Sequence, residues 1–198
     1  MKQIVFASSN KGKIKEVSEI LTPLGFEVIP QTEFRVPDAD ETGLSFIENA
    51  ILKARHCSHF TKLPALADDS GLCVDALNGA PGIYSARFSG EHGNDESNID
   101  KLLNEMQGIT EAERQAHFQC VLALVMHEYD PMPVIAEGRV DGNITHERQG
   151  KNGFGYNPVF LLPEYNLTMA EVDNNIKNTI SHRARALDKL KTRLLSHL

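Results

Sequence analysis

Apolar positions along the chain fall into strand-like runs and helix-spaced series. Ile4 to Ala7 is a compact apolar run, and Ile14, Val17, Ile20, Leu21 and Leu24 then recur at helical spacing. That pattern predicts a strand, a polar glycine-containing loop over Ser8 to Lys13, and a helix capped by Gly25. Phe26 to Ile29 predicts a second strand. Ser45-Phe-Ile-Glu48 has the capping-box form and opens a helix carried through Ile47, Ala50, Ile51 and Ala54 to about Phe60. Ala65 to Ala67 and Leu72 to Val74 are short apolar runs on either side of Asp68-Asp69-Ser70-Gly71. They read as buried strand segments, with the aspartates where a strand leaves the core and Gly71 permitting a sharp exit.

Later in the chain, Asn94 predicts a helix N-cap, with Asp95 and Glu96 in the first turn and Ile99, Leu102, Leu103 and Met106 on one face. Phe118, Cys120, Leu122, Leu124 and Met126 alternate as a strand, which Pro131 and Pro133 end. Val134 to Val140 predicts a further strand, with Asp141-Gly142 turning it back toward Ile144. Adjacent strands here are expected to be antiparallel, so the sheet is mixed. A final helix follows Ser181, with Leu187, Leu190 and Leu194 on its face and His182 and Arg183 in its first turn.

Composition narrows the setting. At 198 residues the chain is one domain or two tightly joined lobes, with 41% hydrophobic and 24% charged residues, as in soluble globular proteins. A net charge of −7 argues against a general binder of nucleic acid or anionic membrane. Cys57, Cys73 and Cys120 are odd in number and lack metal-knuckle spacing, which matches a reducing cytosol. No apolar run reaches membrane-spanning length, and the first residues lead into a strand rather than a signal peptide.

Four stretches carry candidate chemistry. Two adjacent carboxylates, Asp68 and Asp69, suit a divalent-metal site with one of them acting as a base, although the same residues also suit an Asx turn. Ser8, Ser9, Asn10, Lys11, Gly12 and Lys13 precede a helix, where backbone N–H groups and two lysines suit phosphate. Glu41, just ahead of the second helix, is either a solvated acid or a second metal ligand. Gly150 to Phe160, in which Gly150, Gly153 and Gly155 flank Phe154 and Tyr156 ahead of Asn157, is either an aromatic turn packed on the core or a ring held to stack on a planar ligand. Arg183 sits where a helix dipole disfavours cations, which points to a ligand. His56 and His59 lie one helical turn apart but have no third ligand at a supporting spacing. Carboxylates, lysines and a held aromatic together describe Mg²⁺-assisted phosphoryl chemistry on a nucleotide.

In these segments the chain resembles the inosine/xanthosine triphosphate pyrophosphatase family. The matching stretches are Ser8-Ser-Asn-x-Gly-Lys13, Glu41 to Ala54, Ala67-Asp-Asp-Ser-Gly-Leu72, Gly79 to Arg87, Gly153 to Phe160 and Ile180-Ser-His-Arg183. They run nearly end to end in the family's order. The resemblance implies an α/β fold, elongated and two-lobed, in which a long mixed central sheet floors a cleft. It also implies Mg²⁺ dependence, a homodimer, and hydrolysis of ITP, dITP or XTP to the monophosphate and pyrophosphate.

Carried over by residue, the resemblance makes Asp69 the general base, and Glu41, Asp69 and Asp68 the metal ligands. Ser8 to Lys13, Ser70 and Lys177 resemble triphosphate and sugar contacts, and Phe154, Gly155, Tyr156, Asn157, His182 and Arg183 resemble the base pocket. This chain departs from the family pattern at Ser8 (usually Thr), at Asn157 (usually Asp), and at Asn175 and Ile176 (usually acidic). A nucleotide-binding regulator that no longer hydrolyses, and a pyrophosphatase acting on pyrimidine or modified nucleotides, are the rival readings. The intact Asp68-Asp69 pair argues against the first.

Overall fold

The computed structural model of the chain describes residues 2–195, with side chains through Leu194; Met1, which leads into the first predicted strand, lies outside them. The main elements are β1 (Lys2–Phe6), α1 (Lys11–Leu21), β2 (Phe26–Pro30), α2 (Phe46–Thr61), β3 (Ala65–Val74) and α3 (Asp95–Glu105). They continue with β4 (Gln115–Val125), β5 (Val134–Ile144), β6 (Phe160–Leu162), β7 (Leu167–Thr168), α4 (Asn174–Ile180) and α5 (His182–Leu195). The strands are ordered β2-β1-β3-β4-β5-β6-β7. β1 pairs with β2 and β3 in parallel, while β6 pairs with β5 and β7 antiparallel, so the α/β class and mixed sheet expected from the sequence are present. No helix among the described residues is long and apolar enough to cross a membrane.

The chain divides into two compact units: Met1–Asp69, Cys120–Gly138 and His182–Leu198 in the first, Ser70–Gln119 and Arg139–Ser181 in the second. In the first unit the sheet is buried on both faces. Ile4, Phe6, Leu66, Cys120, Leu122 and Leu124 pack with Val17 and Leu21 of α1 and Leu187 and Leu190 of α5. The alternate residues Val5, Ala65, Ala67, Val121 and Ala123 pack with Ala50, Ala54 and Cys57 of α2. Two-sided burial explains why this half of β4 loses alternation and becomes continuously apolar. In the second unit a single cluster joins Leu72 and Val74, Ile99 and Leu102 of α3, Phe118, Val140 and Phe160.

Several elements differ from the sequence-based expectation. α1 begins at Lys11, so the predicted loop is partly helix: Asn10 Oδ1 accepts from the Lys13 N–H at 3.1 Å, and apolar periodicity is blind to a polar first turn. Gly25, at φ 86°, ends a 3₁₀ turn over Thr22–Leu24 rather than α1 itself. β3 is continuous, so Asp68 and Asp69 lie inside a strand and not at its exit. β5 likewise runs through Asp141-Gly142 without turning. A Cβ on Gly142 would come within 2.3 Å of the Leu161 carbonyl oxygen, so the glycine serves close approach to β6. Met126 falls beyond β4 and is 58% exposed. Lys177 lies in the short helix α4, absent from the predicted pattern, with Ser181 as its C-cap.

Gly138 sets where α5 docks, since a Cβ there would lie 1.9 Å from the His182 carbonyl oxygen and 2.5 Å from the Ala186 nitrogen. Both neighbours are backbone and cannot rotate away. Gly138→Ala is therefore expected to destabilise the protein by about 1–3 kcal/mol, the usual range for overpacking. Urea unfolding checks this, and an unchanged midpoint would show that α5 shifts without penalty.

Candidate active site

A strand alternates its side chains between faces, so Asp68 and Asp69 cannot share one. Asp68 follows Leu66 toward α1 and α5. There its Oδ1 accepts from the Lys13 ammonium, and its Oδ2 accepts from Arg183 Nε at 2.9 Å and from the Cys120 thiol at 3.3 Å. Arg183 Nη1 also donates to Glu16 Oε2 at 3.0 Å, so α1, β3 and α5 are joined by one run of alternating charge. The Asp68 and Arg183 side chains are 1% and 5% exposed. Burial alone would push the Asp68 carboxyl up, but Lys13 and Arg183 hold it well below the usual carboxylate range. Burial likewise opposes the Arg183 charge, and Asp68 outweighs it and raises its pKa. Lys13 and Arg183 each stand in the first turn of a helix, where the dipole disfavours a cation. Asp68 supplies the compensation for both.

Asp69 points to the opposite face, toward α2. Its Oδ1 accepts from Lys53 Nζ at 2.6 Å, and the same ammonium lies 2.9 Å from Glu41 Oε1. Burial raises the Asp69 pKa despite the opposing pull of Lys53. Burial works against the Lys53 charge too, but Asp69 and Glu41 outweigh it and raise its pKa. Asp69 Oδ2 is buried and has no hydrogen-bond partner among the described residues. Glu41 is brought to this cluster by the start of α2. Ser45 caps the helix, Glu48 Oε2 accepts from the Ser45 hydroxyl at 2.7 Å and the Leu44 N–H at 3.0 Å, and Asn49 Oδ1 accepts from the Gly43 N–H at 2.8 Å.

In the second unit, Phe154 is 47% exposed between two glycines in the left-handed region, Gly153 at φ 89° and Gly155 at φ 59°. The Lys177 ammonium lies 5.7 Å from the ring centroid. Asn157 is buried, and a Cβ on Gly153 would fall 2.2 Å from its Nδ2 and 2.7 Å from Lys177 Nζ. Asn157 and Lys177 thus close over Gly153, which only a glycine permits.

A family model described as the Ham1 family matches residues 4–193. The chain belongs to the Ham1 family. A relative named dITP/XTP pyrophosphatase from Vibrio parahaemolyticus is 53% identical over 98% of this chain and 97% of its own length. Another of that name from Legionella pneumophila strain Paris is 55% identical over 98% of this chain and 99% of its own. The solved structure of a HAM1 protein from Coxiella burnetii superposes with a TM-score of 0.94 at 49% identity, covering 99% of this chain and all (100%) of that one. The Staphylococcus aureus Ham1 protein gives 0.91 at 42% identity, with 100% of both chains covered.

Within this Ham1 chain the residues singled out from sequence divide between the units. Ser8 to Lys13, Glu41, Asp68, Asp69, His182 and Arg183 lie in the first, and Ser70, Phe154 to Asn157 and Lys177 in the second. The structure joins Lys13, Asp68 and Arg183 directly, and it joins Glu41 to Asp69 through Lys53. Lys53 was missed as a site residue. Its signal was present, because it stands three residues after Ala50 on the buried face of α2, a position where an unpaired lysine is costly. Glu16, one helical turn after Lys13, was missed for want of any sign that Arg183 returns to α1. His56 and His59 have separate partners: His56 Nε2 meets the Pro37 carbonyl at 2.8 Å, and His59 pairs with Glu128.

Asp68→Asn removes the charge facing a buried arginine. The expected loss is about 3 kcal/mol, the lower end for breaking a buried pair, because Glu16 still holds Arg183. A carboxyl with a depressed pKa contributes stability that is present above its unfolded value and lost as pH falls through its folded value. The gap between wild type and variant should therefore be full at neutral pH. It should close only well below the ordinary carboxylate value of 3.8. Urea unfolding across pH measures it, and a gap that closes above that value would contradict the assignment.

Proposed function

We propose that the chain hydrolyses ITP, dITP and XTP to the monophosphate and pyrophosphate, clearing them from the nucleotide pool, with residues 1–198 acting as one catalytic domain. The observation that carries this reading is the Asp69 carboxylate: Lys53 fixes one oxygen, while the other is buried without a hydrogen-bond partner among the described residues. Relatives named dITP/XTP pyrophosphatase, matched over nearly the whole chain, support the substrate class.

In this mechanism Asp69 Oδ2 takes a proton from water as the water oxygen bonds to the α-phosphorus. The bond from that phosphorus to the bridging oxygen breaks, and pyrophosphate leaves. Lys13 and the first-turn N–H groups of α1 bind phosphate oxygens, with Ser8, Ser9, Asn10, Lys11 and Gly12 completing that cradle. Phe154 offers a stacking face to the purine, with Lys177 beside it. His182 and Arg183 are assigned donors that favour a 6-keto group over the 6-amino group of adenine, since a guanidinium only donates.

The residues fit Mg²⁺. Oxygen donors from Glu41 and Asp69 converge on one ammonium, and Asp69 Oδ2 has no partner among the described residues. No three His, Cys, Asp or Glu residues among those described form a preformed cage, and an ion shared with substrate phosphates needs only one or two carboxylates. Glu41 and Asp69 would hold the ion, which when bound offsets the charge of the triphosphate. Asp68 lies on the other face with both oxygens engaged, so we assign it to hold Lys13 and Arg183. A homodimer and a cytoplasmic setting belong to the same proposal.

With a panel of purine and pyrimidine triphosphates and Mg²⁺, the protein should release pyrophosphate from ITP, dITP and XTP. Inorganic phosphate as the product, or preference for a pyrimidine, would sink the proposal. Asp69→Asn should lower kcat by about 10²–10⁴ while leaving the fold and nucleotide binding in place. Near-normal turnover in that variant would remove Asp69 as the base. Asn157→Asp, which puts a charge beside Lys177, should change kcat/KM for ITP by less than about tenfold, equivalent to roughly 1.4 kcal/mol. A rise of a hundredfold or more would mark the native Asn157 as crippling.

A further inference from the structure

Phe154 is half exposed, yet the chain on both sides of it is tied down: before it, the Asn152 N–H donates to the Ala170 carbonyl at 3.2 Å. After it, Tyr156 is 4% exposed, and its hydroxyl donates to the Ser85 carbonyl at 2.8 Å. Ser85 is itself anchored: its hydroxyl donates to the Gly82 carbonyl at 2.6 Å and accepts from the Leu72 N–H at 2.9 Å. Closer to the ring, the Gly155 N–H donates to Asp95 Oδ2 at 2.7 Å, across 60 residues of sequence.

Asp95 opens α3, but it is not the cap. Asn94 Oδ1 accepts from the Ser97 N–H at 3.1 Å and meets that need. Asn98, one turn on, fixes the same end of the helix by accepting from the Ser89 N–H at 2.8 Å. The Asp95 carboxylate is thus held on a rigid turn and directed at a loop amide next to an exposed aromatic. Gly155 sits at φ 59°, a conformation held by its neighbours rather than by a side chain of its own. Without an acceptor for its amide, the segment keeps the Asn152 and Tyr156 tethers on either side but loses the hydrogen bond next to the ring.

We propose that Asp95 is a positioning residue for substrate recognition, acting through the Gly155 amide to set the pose of Phe154. The inference rests on the reading of Phe154 as the ring that stacks on the purine. Asp95 touches neither substrate nor reacting atoms, so its loss weakens binding and leaves the chemical step alone. A purely structural defect would instead lower the active fraction, reducing kcat without changing KM.

The chain has no tryptophan, so Phe154→Trp installs a single fluorescent reporter at the ring. In that background Asp95→Ala should raise acrylamide quenching and lower anisotropy, and Asp95→Asn, which keeps an acceptor oxygen, should restore both. In the otherwise native protein, Asp95→Ala should raise KM for dITP about tenfold with kcat within about twofold, as for loss of one charge-assisted hydrogen bond, and Asp95→Asn should recover most of it. Asp95→Ser, which suits a helix start but is too short to reach Gly155, replaces Asp95→Ala should the latter fail to fold. An unchanged reporter, an unchanged KM, or a fall in kcat alone each overturns the inference. A wild-type protein that leaves dITP intact, with a reporter that still responds to Asp95→Ala, would sink the substrate reading and leave the clamp standing.

Discussion

The two-residue period of β3 is the constraint on which the rest of the first unit depends. Two neighbouring buried carboxylates on one face would repel each other in a medium that screens charge poorly. In a strand they separate, and each meets its own cations: Lys13 and Arg183 for Asp68, Lys53 for Asp69. The division also separates their chemistry. Asp68 has both oxygens engaged and is held ionised, which makes it an organiser of α1 and α5. Asp69 keeps one oxygen without a hydrogen bond among the described residues and has a raised pKa, which is why we propose it as the reactive member. Three layers follow from the same alternation, since each face of the strand needs its own helices to bury it.

Helix starts carry much of the positioning. Asn10 caps α1 and puts Lys13 over Asp68; Ser45 and Glu48 fix the start of α2 and the approach of Glu41; Asn94 caps α3 and leaves Asp95 for the Gly155 amide. Two of these arrangements place a polar side chain on an element remote in sequence. Gly138 does the corresponding work for α5, where the absence of a Cβ lets the helix sit close enough for Arg183 to reach Asp68.

Much of this was legible in the sequence, and the limits have physical causes. Helical spacing and capping residues located α2 and α3 closely, because side chains near in sequence decide helix starts. Where glycines or aspartates interrupted apolar runs, turns were expected at Asp68-Gly71 and at Asp141-Gly142. Both proved to be strand, held by partners distant in sequence. The candidate residues could be named from sequence, but not their partners. Lys53 and Glu16 were overlooked because an ion pair between remote elements leaves only an odd charge on a helix face. The separation of Asp68 from Asp69 is hidden for a different reason: it follows from strand geometry, whereas Asp68-Asp69-Ser70-Gly71 has the composition of a strand exit.

Asp68 and Asp69 hydrogen-bond separate cations and are assigned separate roles. Neighbouring residues that share a network usually couple by 0.5–3 kcal/mol. A double-mutant cycle on unfolding free energy, using Asp68→Asn, Asp69→Asn and the double variant, measures that coupling directly. Coupling below about 1 kcal/mol is expected, because the two carboxylates hydrogen-bond different cations and only through-space charge effects link them. Coupling well above 1 kcal/mol would show that the two carboxylates share one electrostatic site, and the division of roles would fall.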